Sequence, residues 1–142
     1  MISYATEQDI KQFFKFRNLE EAIELSALQK SVGWDEHRIW YAQAIKQENI
    51  LLFLIQSNSG MLRFDKDDNN AIVSIYLSPE YRSKGLAVVC LNQAMREVLK
   101  RWSINRFIAY VRVDNKPSLR LFSKLGFIRA GIKDEIIRME SL

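Results

Sequence analysis

Cysteine is nearly missing from this sequence: Cys90 stands alone, which excludes an internal disulfide and the stapled scaffolds of small secreted proteins. A reducing cytoplasm is the expected compartment. Cys90 sits mid-helix among apolar neighbours, so it reads as a small core residue rather than a nucleophile. No apolar run is longer than Ile50–Ile55, far below the roughly 20 residues that cross a bilayer, so no membrane association is expected. The first nine residues carry Glu7 and Asp9 and no long apolar stretch, unlike a secretory signal. A compact basic run is also lacking. The formal charge of +4 and pI near 9.3 come from scattered Lys and Arg, so a phosphorylated small molecule accounts for them better than a polynucleotide, and no nucleic-acid partner is expected. Asp67, Asp68, Asn69 and Asn70 lack EF-hand ligand spacing and a glutamate at the twelfth position; they read as a solvated turn, and no metal is expected. Repeats, low-complexity segments and linkers are absent. A chain of 142 residues, 48% hydrophobic, is then one domain spanning 1–142.

What is present centres on residues 71–87, AIVSIYLSPEYRSKGLA. Val73, Ile75 and Leu77 alternate with Ser74 and Tyr76, the period of a strand, and Pro79 ends the pairing. Arg82, Ser83, Lys84, Gly85, Leu86 and Ala87 follow. They supply two cations, a glycine suited to positive φ, and the unpaired N–H groups of a helix start. With the macrodipole adding about half a positive charge, this corner suits an anion such as a pyrophosphate. Gly85 taken alone also reads as a plain turn residue.

Thr6 and Asp9 have the spacing of a capping box, opening a helix with Ile10, Phe13 and Phe14 on its apolar stripe and an end near Asn18. Residues 20–30 read as a second helical piece. Asp35 is the predicted cap of a helix over 36–47, with Ile39, Trp40 and Ala44 on one face. His37 falls in its first turn, either as a surface or capping residue or at the mouth of an acceptor site. Strands are predicted over Ile50–Ile55 and 61–64, joined by a turn at 57–60, then a second turn over 65–70. These three strands should pair antiparallel. From 85 to 101 an amphipathic helix buries Val88, Leu91, Met95, Val98, Leu99 and Trp102, and a strand over 107–113 should complete a right-handed parallel crossover. Ligands gather at the carboxyl ends of such strands, where residues 82–87 lie. Asn115 caps a last helix that stops at Gly126, and 127–130 and 132–139 read as two closing strands.

The strand–loop–helix over 71–101, together with Asn115-Lys116-Pro117-Ser118-Leu119-Arg120-Leu121-Phe122-Ser123-Lys124-Leu125-Gly126-Phe127, resembles the GCN5-related N-acetyltransferase (GNAT) family. The resemblance implies an α+β fold: a mostly antiparallel mixed sheet with one parallel pair and helices on both faces. It implies that residues 82–87 hold the pyrophosphate of acetyl-CoA beside a gap in the sheet, and that main-chain groups of Ile75, Tyr76 and Leu77 pair with the pantetheine arm and the thioester carbonyl. Asn115 and Ser118 would contact the CoA arm, each also reading as a helix cap, and Phe122 stands where many relatives place a tyrosine that protonates the leaving thiolate. Arg17-Asn18, Ser26 and Glu36-His37-Arg38-Ile39-Trp40 are similar to a bacterial branch that acetylates nucleotide-linked amino sugars, although Glu20 and Ile23 replace a proline and an arginine common there.

Two expected proton carriers are thus missing. A thiol of pKa about 8.5 released unprotonated at pH 7 forfeits only about 2 kcal/mol, so water can replace the acid. Ile72 stands where relatives often carry a glutamate base. Neutralising a lysine-like amine of pKa about 10.4 at pH 7 costs about 4–5 kcal/mol, and a less basic sugar amine costs much less. This favours a small amine, a nucleotide-linked amino sugar among the candidates, over a protein or peptide amine. His37, Tyr76 and Tyr81 are the candidates for proton transfer. A non-catalytic acyl-CoA-binding module and a purely structural domain are the competing readings; a homodimer is left open.

Overall fold

A computed structural model describes residues 1–18 and 31–141. The strands are β1 (Ile2–Tyr4), β2 (Ile50–Ile55), β3 (Gly60–Asp67), β4 (Asn70–Leu77), β5 (Arg106–Arg112), β6 (Ile128–Lys133) and β7 (Ile136–Glu140). The helices among the described residues are α1 (Ile10–Asn18), α2 (Trp34–Ala44), α3 (Leu86–Arg101) and α4 (Lys116–Lys124). The strands form one sheet in the order β1-β2-β3-β4-β5-β7-β6, with every neighbour antiparallel except β4 and β5. This is the mixed α+β architecture expected, with β1 as an addition that its three residues were too short to announce.

Both faces of the sheet are covered, because β2 is apolar at every position instead of alternating. Leu51, Phe53 and Ile55 enter the larger core with Phe64, Val73 and Phe107, under α3 (Cys90, Leu91, Ala94, Val98) and α4 (Leu119, Phe122). Leu52 and Leu54 enter the second core with Tyr76, under α1 (Phe13, Phe16) and α2 (Tyr41, Ala44). Cys90 is fully buried, and burial pushes its thiol pKa up, consistent with a packing role. Two long bonds tie helices to the chain around them: Tyr41 Oη donates to the Thr6 carbonyl at 2.7 Å, and Trp102 Nε1 donates to the Glu48 carbonyl at 2.8 Å.

Several local expectations need correction. The Thr6/Asp9 capping box is present, but it opens the short 3-10 turn Glu7–Asp9 that runs into α1. Gly33, not Asp35, is the N-cap of α2; Asp35 lies in the first turn, where a carboxylate still complements the dipole. The buried residues of α2 are His37, Tyr41 and Ala44, while Ile39 is exposed, because the i, i+4, i+7 stripe faces the second core. On α3 Leu99 is exposed and Ala94 is buried in its place. The β2–β3 connection is made by Ser57 and Asn58 at positive φ, so Gly60 is not a turn residue but the first of β3. It is glycine there for another reason: a Cβ would run into the Tyr76 carbonyl oxygen and lie 3.1 Å from the Leu77 Cα. Strand β3 also continues through Asp65 and Lys66, leaving a turn at Asp68 and Asn69 only. Gly131 belongs to β6, and the final turn is made by Asp134 and Glu135 at positive φ. The predicted helical piece 20–30, with Ser26, Glu20 and Ile23, lies outside the described residues.

Candidate active site

The parallel pairing that closes the sheet is short. Only Asn70, Ala71 and Ile72 of β4 pair with Arg106, Phe107 and Ile108 of β5, although β4 runs on to Leu77 and β5 to Arg112. Beyond Ile72 the strands part, while β4 stays fully paired to β3 on its other side. Alternate N–H and C=O groups of residues 73–77 therefore face an opening in the middle of the sheet, an edge that an extended amide chain can pair with.

That opening is part of a cleft of about 730 Å³, within the usual size of small-molecule sites. Its lining includes Ile75, Tyr76, Leu77, Arg82, Ser83, Gly85, Leu86, Ala87, Asn115, Ser118 and Phe122. Residues nominated from three separate stretches of the sequence thus meet around one space. Lys84 is exposed and outside the lining, and Tyr81 is partly buried against the larger core rather than in the cleft. Of the three candidates for proton transfer, Tyr76 alone lines the cleft, 9% exposed, its ring 5.5 Å from that of Phe16.

At one end of the cleft, Gly85 is the N-cap of α3 at φ 78°, ψ 0°, the left-handed region, and no side chain caps the helix. The first α3 amides after it have no intrahelical acceptor, since the ladder begins with Val89 N–H on the Gly85 carbonyl. Ser83 is also left-handed, at φ 62°. Alternation of left-handed with other residues over 83–87 is the pattern that can turn successive backbone N–H groups to one side. Arg82 is tied to the strand end by Nε donating to the Leu77 carbonyl at 2.8 Å, and its guanidinium lies 5.7 Å from the Tyr76 ring centroid. The left-handed Gly85 and the helix start after it lie where the sequence reading expected them.

Asn115 performs the capping role: its Oδ1 accepts from the Ser118 N–H at 3.3 Å at the start of α4. Phe122, which also lines the cleft, is 2% exposed and packs on Phe127 at 5.0 Å between centroids; its phenyl ring has no proton to donate.

His37 corrects both sequence readings. It is fully buried, neither at the surface nor at the mouth of the cleft. Arg17 Nη1 lies 3.0 Å from its Nδ1 and the Ile10 carbonyl 2.8 Å from its Nε2. Because arginine only donates and a carbonyl only accepts, the ring is neutral with its proton on Nε2. Burial lowers its pKa, as does the charge of Arg17, while the Ile10 carbonyl acts in the opposite sense. A histidine with both nitrogens committed does not shuttle protons. It does predict a pH effect. Below its unfolded pKa near 6.5 the unfolded chain binds a proton that the native state refuses, so stability falls as pH drops from about 6.5 towards 5, by up to about 1.4 kcal/mol per unit. This is the only histidine in the chain, so a His37→Gln variant should flatten the slope of melting temperature over that window. An unchanged slope would assign it to other groups.

Arg63, Ser74 and Tyr110, to which the sequence reading gave no site role, also line the cleft, beside Arg17 and Trp40, which it named in the likeness to the amino-sugar branch. Strand alternation held a signal for Arg63, a charged residue between buried Leu62 and Phe64. No local pattern marks Tyr110. Among the described residues, no three His, Cys, Asp or Glu side chains gather where they could hold a metal ion, and no helix is long and apolar enough to cross a membrane.

The Acetyltransferase (GNAT) family model matches residues 16–127. YwnH of Bacillus subtilis (strain 168), provisionally named a phosphinothricin acetyltransferase, is 36% identical over 109 residues, covering 76% of this chain and 64% of its own. The chain spans less still of the other curated relatives it matches. Among solved structures, a GNAT-family acetyltransferase from Streptococcus pneumoniae superposes with a TM-score of 0.80 at 18% identity, over 100% of this chain and 98% of that one. Spermidine N-acetyltransferase from Vibrio cholerae, solved with CoA and spermine, gives 0.82 at 18% identity over 99% and 93%. At such identities these structures speak to the fold.

Proposed function

Because the chain belongs to the acetyltransferase (GNAT) family, we propose that it moves an acetyl group directly from acetyl-CoA to the primary amine of a small acceptor. The observation that carries this is the coincidence, in one cleft, of the β4–β5 parting after Ile72 with the uncapped, left-handed start of α3 at Gly85. A diphosphate fits the backbone N–H groups of 83–87, and the edge of β4 fits an amide-bearing arm. Asn115, Ser118 and Phe122 line the wall along which that arm would run.

In the reaction the amine nitrogen attacks the thioester carbonyl, the C–N bond forms, and the C–S bond breaks with its electron pair leaving on sulfur. Main-chain N–H groups of residues 75–77 that face the opening would stabilise the oxyanion. The amine must arrive neutral, and Ile72 offers no carboxylate. We assign proton transfer to solvent in the cleft and to the Tyr76 hydroxyl. Among small amines, a nucleotide-linked amino sugar suits this arrangement, since its amine is less basic than lysine's.

The test is mass spectrometry of mixtures of protein, acetyl-CoA and a panel of amino sugars, nucleotide-linked amino sugars and peptides. An N-acetylated small amine with stoichiometric CoA release is the expected result. Acetylated peptide without acetylated sugar would transfer the reading to protein amines. Tight acetyl-CoA binding with no CoA release across the panel would make this a binding module.

A further inference from the structure

At the end of the cleft away from Gly85, three elements bring an indole and two guanidiniums together. Arg17 of α1 and Arg63 of β3 both stack on Trp40 of α2, at 4.5 and 4.6 Å from ring centroid to guanidinium carbon. All three side chains line the cleft. Their charges are not equally answered. Asp65 grips Arg63 through Nε at 2.8 Å and one Nη at 3.0 Å. Among the described residues no carboxylate lies within ion-pair distance of Arg17, whose polar contact is the neutral ring of His37. Glu36 also lines the cleft and attracts Arg17 from further off, an influence smaller than the repulsion from Arg63.

Arg17 is held by design of the fold rather than by chance. His37 behind it is fully buried, and the Ile10 carbonyl fixes the tautomer that can accept its N–H. Trp40 fixes the plane of the guanidinium. A planar fork of donors, half-buried, oriented on two sides and repelled by a second cation, gains most from an anion that it can meet edge-on. Burial followed by the charge of Arg63 also lowers the Arg17 pKa, the direction expected where an anion is wanted.

We propose that the acceptor carries, besides its amine, a carboxylate or phosphate-type group that docks on Arg17, with Arg63 assisting and His37 positioning Arg17. This rests on the acetyl-transfer reading above and narrows its substrate class. It also disfavours polyamines as acceptors, because a second ammonium would meet Arg17 and Arg63.

The experiment compares four amines of similar size: β-alanine, 2-aminoethylphosphonate, propylamine and 1,3-diaminopropane. Each is assayed for acetylation at a pH of about 9.5, where an alkylamine is partly neutral, with acetyl-CoA affinity measured separately by calorimetry at the same pH. The two anionic amines should show KM values about tenfold or more below that of propylamine, and their ranking tells carboxylate from phosphate-type recognition. Arg17→Met should raise KM for the anionic amines about tenfold while acetyl-CoA affinity holds, Arg17→Lys should recover part of the loss, and Arg63→Gln should cost less. Equal KM for anionic and neutral amines, a preference for the diamine, a uniform effect of Arg17→Met on all four, or no acetylation of any while acetyl-CoA still binds would each overturn the proposal. Failure of the wild-type protein to bind acetyl-CoA would instead sink the earlier reading.

Discussion

Gly85→Glu should weaken acetyl-CoA binding by 100-fold or more in calorimetry, with the fold intact. The two halves of that expectation have separate causes. A Cβ at Gly85 would meet nothing within 4 Å, so no neighbour is displaced. The left-handed φ of 78° costs a non-glycine residue only about 1–2 kcal/mol, which a domain of this size tolerates. The remaining effect is electrostatic: a carboxylate is set among the amides that would otherwise face a diphosphate, where the helix dipole concentrates positive potential. Gly85→Ala separates the terms. It carries the backbone cost without the charge, so its affinity should fall by about tenfold or less. Undiminished binding by the glutamate variant would remove the diphosphate from this corner and the enzyme reading with it.

Gly60→Ala should be the most destabilising of the glycine-to-alanine changes, lowering the melting temperature by about 10 °C. Gly60 pairs with Leu77, and a Cβ there collides with main chain, the Tyr76 carbonyl, not with a side chain that could swing away. Either β3 or β4 must move, at a cost of about 2–4 kcal/mol. The displaced stretch is the strand end proposed to hold the thioester, so acetyl-CoA affinity should fall as well, although Gly60 is outside the cleft lining. A melting temperature within about 2 °C of wild type would show that the strands have more slack than their register implies.

The two glycines also show what could be read from the chain and what could not. Gly85 was legible because its reason is local. The strand period of 73–77, the cationic loop and the amphipathic run of α3 all lie within about 30 consecutive residues, and a left-handed cap between them is what that pattern requires. Gly60 was misread as a turn residue because its reason lies on another strand. Likewise, His37 was placed at a surface or an active-site mouth because its first-turn position gives no sign of the Ile10 carbonyl and Arg17 on a different helix. Leu99 was put inside and Ala94 left out of the predicted stripe since periodicity alone does not rank apolar faces.

By itself the sequence determined most of the described elements, β1 excepted, and the mixed α+β class, and it raised the expectation of an anion-suited corner at 82–87. These depend on backbone preferences and side-chain periods that act over a few turns of chain. Only the tertiary structure decided how far β4 stays paired with β5, which residues face the resulting opening, and that Arg17, Trp40 and Arg63 converge at its far end. Those outcomes depend on which faces share a core and on where strand pairing stops, balances among groups far apart in the chain that no local pattern records.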